Sequence, residues 1–353
     1  MSSDLAAMWL FIADTATRGY SPLYDRICRA VADNEEVLSL VREAPAPAHN
    51  PLLCLAAVHY LVLGGLEHPL TDVYNGTSDT DPGPLFVDVC LTHRAEILDL
   101  LATQQVNTNE VGRSAVLAPG LTEMAERHGA PLAHIDVGCS AGLNLLADHY
   151  RLDYGSGGAT GPPDAPVQIE CEIVGGSPPI RPRLPEITAR VGLDRAPVDI
   201  HDPKQVRWQL ACAWPDTNRV ARTRLALEEA QRVPKTLVQG DAVADIGGLI
   251  AKLPPGATAV VTTTWVVAYF PHEQRTAFRA ALADASRDRL VTWISIEGKG
   301  VVDTIPAPPD PFYAHGVEYS VIGGITFQGG EERAEMLGYA QPHGRGLHWS
   351  ATR

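Results

Sequence analysis

The segment His134–Asn144, HIDVGCSAGLN, constrains this chain more than any other. HIDVG is short and apolar, as a single buried strand requires. Small residues follow at once, and the run AGLNLLADHY then takes on helical spacing. A strand that turns through Gly138, Cys139, Ser140, Ala141 and Gly142 into a helix opens a βα unit. Small side chains are needed where such a turn brings the backbone against a ligand, because a larger one would occupy the ligand's place.

The rest of the chain extends this unit into a class. ITARVGLD, KTLVQGD, TAVVTTTW and LVTWISIEG are strand-like, and DAVADIGGLIAKL and PHEQRTAFRAALADASRD are helical runs between them. Strands alternating with helices predict an α/β, doubly wound and mostly parallel sheet. VEYSVIGGITFQGG and RAEMLGYAQPHGRGLHWS read as two antiparallel strands around a turn at the sheet edge. Residues 1–130 are helical in pattern. Ser21-Pro22, Asp33-Asn34 and Pro51 each start an apolar-periodic run, and Pro84 precedes another. GRSAVLAPGLTEMAERHG is a further helix, with an interruption expected near Pro119-Gly120. The domain reading is a helical N-terminal cap region, 1–130, and a cofactor-binding domain, 131–353. Thirteen glycines and prolines between Gly155 and Pro185 mark an insertion at about 151–188, read as a hairpin with irregular loops.

Composition narrows the function classes. A formal charge of −14 over 353 residues opposes binding by broad phosphate neutralisation, so no nucleic-acid partner is expected. No uncharged apolar run reaches the roughly 18 residues of a membrane span. Asp4 and Asp14 flank the first apolar patch, which is not a secretory pattern. The six cysteines form no CxxC pair, and the histidines have no ligand spacing, so no metal is expected. Free thiols in a reducing cytoplasm are the simplest compartment reading.

The turn separates two cofactor classes. A dinucleotide fingerprint, G-x-G-x-x-G, would need glycine where Ser140 and Leu143 stand. Asp136, Gly138 and Gly142 instead satisfy an acidic residue followed by glycines two and six positions on. This resembles motif I of the class I S-adenosylmethionine-dependent methyltransferases, D/E-x-G-x-G-x-G, with Ser140 in place of the middle glycine. Asn109–Ala115 (NEVGRSA), Val191–Asp199 (VGLDRAPVD) and Trp208–Asp216 (WQLACAWPD) are similar to an actinobacterial family, domain of unknown function 2332. That second likeness spans most of the chain and carries no established activity.

The superfamily resemblance implies a Rossmann-like methyltransferase sheet and S-adenosylmethionine as cofactor. It places Asp136, Gly138, Cys139, Ser140, Gly142 and Asn144 at the cofactor. Asp194, ending the second strand, would take the ribose hydroxyls, with Asp199 as the competing candidate. A carboxylate suits that role because it accepts two hydroxyl protons together. Gly240-Asp241-Ala242, ending the third strand, would meet the adenine, although Asp241 is equally placed to cap the following helix. Thr264 and Trp265, after the fourth strand, would border the cofactor at its transferring methyl, Trp265 stacking on cofactor or substrate and Tyr269 offering a hydroxyl, with plain packing as the alternative for the two aromatics.

Other candidates stand further out. Arg113, beside Asn109 and Glu110, has the geometry to pair with a methionyl carboxylate, or with Glu110 itself. Arg219, Arg222 and Arg224 belong to a stretch, Lys204–Lys235, with seven basic and three acidic residues. They would attract an anionic substrate or simply form a solvated face. Tyr269, Glu297 and His315 are the candidate proton acceptors. Replacing Gly138 by a bulky residue is expected to abolish cofactor binding without unfolding the chain. The leading reading is a methyltransferase for a small-molecule acceptor. The alternatives are a non-catalytic protein that keeps the fold, and a nicotinamide-dependent oxidoreductase.

Overall fold

The computed structural model describes residues 5–107, 109–129, 131–306, 313–314 and 317–351. The chain divides into two compact units, Met1–Thr108 with Asp199–Arg224, and Asn109–Val198 with Leu225–Arg353.

The first unit is helical: Leu5–Ile12, Pro22–Ala32, Glu35–Glu43, Pro51–Leu63, Pro69–Tyr74, Pro82–Thr92, Arg94–Thr103 and Pro203–Ala211. Its caps follow the sequence signals. The side chains of Ser21, Asn34 and Asn50 accept amide hydrogens of the turn they open, and proline takes the first helical position after Ser21 and Asn50. The run after Pro84 is two helices, broken at His93, rather than one. Asp216 of the WQLACAWPD segment is a second cap for Pro22–Ala32, accepting from Ser21 Oγ at 2.6 Å and the Leu23 amide at 2.9 Å. Trp214 packs between Tyr20 and Tyr24 with the Arg219 guanidinium over its ring, and Arg207 lies over Tyr60.

The second unit is built on a nine-stranded sheet. Its strands are β1 (Leu132–Val137), β2 (Glu172–Gly175), β3 (Ile187–Asp194), β4 (Thr236–Gln239), β5 (Thr258–Thr264), β6 (Val291–Glu297), β7 (Ser320–Gln328), β8 (Glu331–Ala340) and β9 (Gly346–Trp349). They stand in the order β2-β9-β8-β7-β6-β5-β1-β3-β4. β4, β3, β1, β5 and β6 are mutually parallel. In chain order these five stand 3-2-1-4-5, so the winding reverses between β1 and β5. Ligands bind outside the carboxyl ends of the strands at such a reversal.

Alternation along β1 assigns the two faces. Ala133, Ile135 and Val137 pack with Ile246 and Ile250 of helix Ala242–Ala251 and Phe278 and Leu282 of helix His272–Ala285. His134 and Asp136 point to the opposite face, where helix Ser114–His128 lies and Gly120 admits Ile294 of β6.

Three expectations need correction. The helix Ser114–His128 runs through Pro119 without interruption. Proline lacks the N–H that would bond the Ala115 carbonyl, and the Tyr154 hydroxyl supplies that bond at 2.8 Å. The insertion is more than a hairpin: Arg151–Asp153 and Ala159–Thr160 pair antiparallel as one, and further strands join it. Arg151–Asp153, Ala159–Thr160 and Gln168–Glu170 form a small separate sheet, whereas β2 joins the large sheet beside β9. The tail supplies three strands rather than two, β7, β8 and β9, with each successive pair antiparallel.

Candidate functional site

The glycine turn leaves β1 at the reversal point, as the sequence places it. Gly138, Ser140 and Gly142 all take positive φ, at 71°, 52° and 70°. Serine is one of the smaller side chains that tolerate this region, at modest cost. The turn does not lead into the expected α-helix. Leu143–His149 is 3₁₀ in character, with a kink at Leu146. Three of the turn's amides are committed inside the protein. Gly138 N–H donates to Leu193 O at 2.8 Å, Gly142 N–H to Cys139 O at 2.7 Å, and Ser140 N–H to Asp194 Oδ2 at 2.8 Å.

Segments singled out by their family likeness converge here. From NEVGRSA, Asn109 Nδ2 donates to Cys139 O at 3.1 Å and Ser114 Oγ to Asn144 Oδ1 at 3.2 Å. Arg113 Nη1 donates to Thr264 O at 3.0 Å and its Nε to Pro342 O at 3.1 Å, so the guanidinium ties backbone to backbone. From VGLDRAPVD, Gly192 faces Cys139 so closely that a Cβ would strike Sγ. Asp194 accepts the amides of both Ser140 and Ala196. Cys139, Ser140, Asn144 and Arg113 are buried, whereas Gly138 is exposed at the rim.

Gly138 has a second reason to be glycine. A Cβ there would lie well inside contact distance of Val266 Cγ2, and one at Gly142 would stand 2.9 Å from Leu237. Bulk at Gly138 therefore disturbs packing as well as ligand access, which corrects the expectation that it would touch binding alone.

Asp136 is the electrostatic centre. Its carboxyl is buried on the face opposite the main core, and burial first, then the Asp194 charge, raises it to about 7 against the Thr262 hydrogen bond. Thr262 Oγ1 donates to Asp136 Oδ1 at 2.8 Å and meets His134 Nε2 at 2.8 Å. Since the threonine hydrogen goes to the carboxylate, His134 donates from Nε2; burial pushes this imidazole down to about 3 and keeps it neutral.

Of the other candidates, Gly240, Asp241, Thr264 and Glu297 stand at or just after the ends of parallel strands. Asp241 caps helix Ala242–Ala251 through the Val243 and Ala244 amides, which hold its carboxyl below the usual range, and it pairs with Arg195 at 3.2 Å. Gly240 N–H donates to Asp194 O at 2.9 Å, joining the ends of β3 and β4. Asp199, counted in the other unit, accepts the His201 amide in a turn. Thr264 ends β5. Trp265 follows at φ 57°, with its indole N–H on Ser320 Oγ at 2.8 Å. Tyr269 is 81% exposed. Glu297, ending β6, is buried, and its oxygens accept the Val266, Val267 and Ala268 amides at 3.0, 3.1 and 3.2 Å. Burial raises this carboxyl while those amides lower it. Sequence reasoning missed this nest; only the count of amides after β5 reveals it. His315 lies outside the described residues.

Among the described residues, no group of three or more His, Cys, Asp or Glu could hold a metal ion, and no helix is long and apolar enough to cross a membrane. All six cysteines are buried free thiols. No curated protein and no solved structure matches the chain. A family model matches residues 6–349, nearly the whole length, and the chain belongs to that family, the uncharacterized proteins conserved in bacteria (DUF2332).

Proposed function

We propose that the chain is an S-adenosylmethionine-dependent methyltransferase for a small-molecule acceptor, with a Rossmann-like methyltransferase sheet as its scaffold. The observation that carries this reading is the disposition of the glycine turn. It sits at the reversal point of a 3-2-1-4-5 parallel sheet, yet its Gly138, Ser140 and Gly142 amides are spent internally. No α-helix N-terminus follows it. A pyrophosphate needs free amides and a helix dipole. A nucleoside carried on a sulfonium has no phosphate and needs neither, which sets the nicotinamide reading behind.

The donor set fits such a ligand. Asp194 keeps lone pairs beyond those used by Ser140 and Ala196, and these suit ribose hydroxyls. Asp241 ends the neighbouring strand, where an exocyclic amine would be read. When bound, the cofactor supplies an electrophilic methyl group, and the protein aligns the acceptor and excludes water. Trp265, Tyr269 and Thr264 would border the acceptor. One observation favours a second reading, a ligand-binding protein without chemistry: the Glu297 carboxylate is spent on three amides rather than offered as a base.

Titration calorimetry with S-adenosylmethionine, S-adenosylhomocysteine and NAD tests the reading. Binding of the first two and not the third is expected; no heat with either adenosyl ligand overturns it. Release of S-adenosylhomocysteine when the cofactor is mixed with a metabolite extract separates enzyme from binder.

A further inference from the structure

Glu297 does something in this structure that neither a proton acceptor nor a simple core residue does. It is 1% exposed, and it ends β6 beside the end of β5. Its carboxylate gathers three successive amides from the segment that follows β5, and the Thr263 hydroxyl adds a further bond. Thr263 is itself fixed by the Trp293 indole N–H at 3.1 Å.

The gathered segment is strained and committed. Trp265 holds a left-handed conformation that a bulky side chain seldom adopts. Its backbone N–H is bound to Ile296 O at 2.9 Å and its indole to Ser320. Val266, whose amide Glu297 takes, turns its side chain into the space that a Cβ at Gly138 would fill. One carboxylate therefore holds Val266, and Val266 holds the glycine turn.

We propose that Glu297 is a positioning residue that couples the segment after β5 to the glycine turn, setting both in the conformation that receives ligand. It touches no ligand; it acts through Val266. The coupling rests on the geometry above, and its effect on ligand affinity rests on the reading of the turn as the cofactor site.

Glu297→Gln in the full chain tests it. The amide oxygen still accepts two N–H groups, but the new NH2 opposes a third donor. Hydrogen exchange read residue by residue is expected to quicken about tenfold or more at Val266, Val267, Ala268 and Gly138. The Leu152 amide in the small sheet should keep its wild-type rate. Unchanged exchange at Gly138, or a uniform rise that includes Leu152, overturns the coupling. In parallel, S-adenosylhomocysteine affinity should fall about tenfold in Glu297→Gln. Tyr154→Phe, a destabilising control outside this segment, should retain it. Equal losses in both variants overturn the positioning role. If the wild-type protein binds no adenosyl ligand, the cofactor reading fails while the exchange result still decides the coupling.

Discussion

Asp136 and Gly138, two residues apart, answer different questions about the same turn. Asp136 has a folded-state value near 7, above the ordinary 3.8 for its type, because burial disfavours its charge. The protonated form is then the better-folded one. Its stabilising effect is complete below about 3.8 and is lost as pH rises through about 7. Urea unfolding between pH 4 and 8 should show wild-type stability falling by up to about 1.4 kcal/mol per pH unit through this group. Asp136→Asn should remove that contribution and flatten the profile. Parallel curves would mean that Asp136 titrates as an ordinary exposed carboxyl. Gly138→Ala should cost about 1–3 kcal/mol, since the new methyl meets Val266 in a left-handed backbone. Val266→Ala in that background should recover part of the loss, as measured by the urea midpoint. Additive losses would show that the two side chains do not meet.

At the scale of elements, the helix Ser114–His128 shows how a breaker is absorbed. Pro119 deprives Ala115 of its helical partner, and Tyr154, which follows the central strand of the small sheet, replaces it. Tyr154→Phe should cost about 1–3 kcal/mol by leaving a buried carbonyl unpaired. Pro119→Ala restores an N–H at that position. In a double-mutant cycle it should therefore stabilise the Tyr154→Phe protein more than the wild type. Equal effects in both backgrounds would contradict the substitution of one donor by the other. This also marks the limit of what the sequence discloses. The strands β1, β3, β4, β5 and β6 were legible because each is a short apolar run bounded by turn residues or helix. The partner of Ala115 is 39 residues away, and no local pattern records it. The place of β2 is illegible for the same reason, since its partner, β9, lies at the far end of the chain. At the site, Asp136, Asp194 and Asp241 were readable because strand ends are readable. The Glu297 nest was not, since it depends on backbone amides that any residue type would supply.

Across the whole molecule, winding order determines where chemistry can occur. The five parallel strands bring the ends of β1, β3 and β4, far apart in sequence, to one edge. Gly138, Asp194 and Asp241 stand there together, with Ser140 bonded to Asp194 and Gly240 bonded back to Asp194. The antiparallel strands β7, β8 and β9 extend the sheet beyond β6, on the side away from β1. On the proposed function, this edge receives an adenosyl ligand without phosphates. Hydrogen exchange of the full chain with and without S-adenosylhomocysteine tests it most directly. Slowed exchange is expected at three separated segments at once, 138–144, 194–196 and 240–244. Protection confined to other segments, or none at saturating ligand, would contradict it.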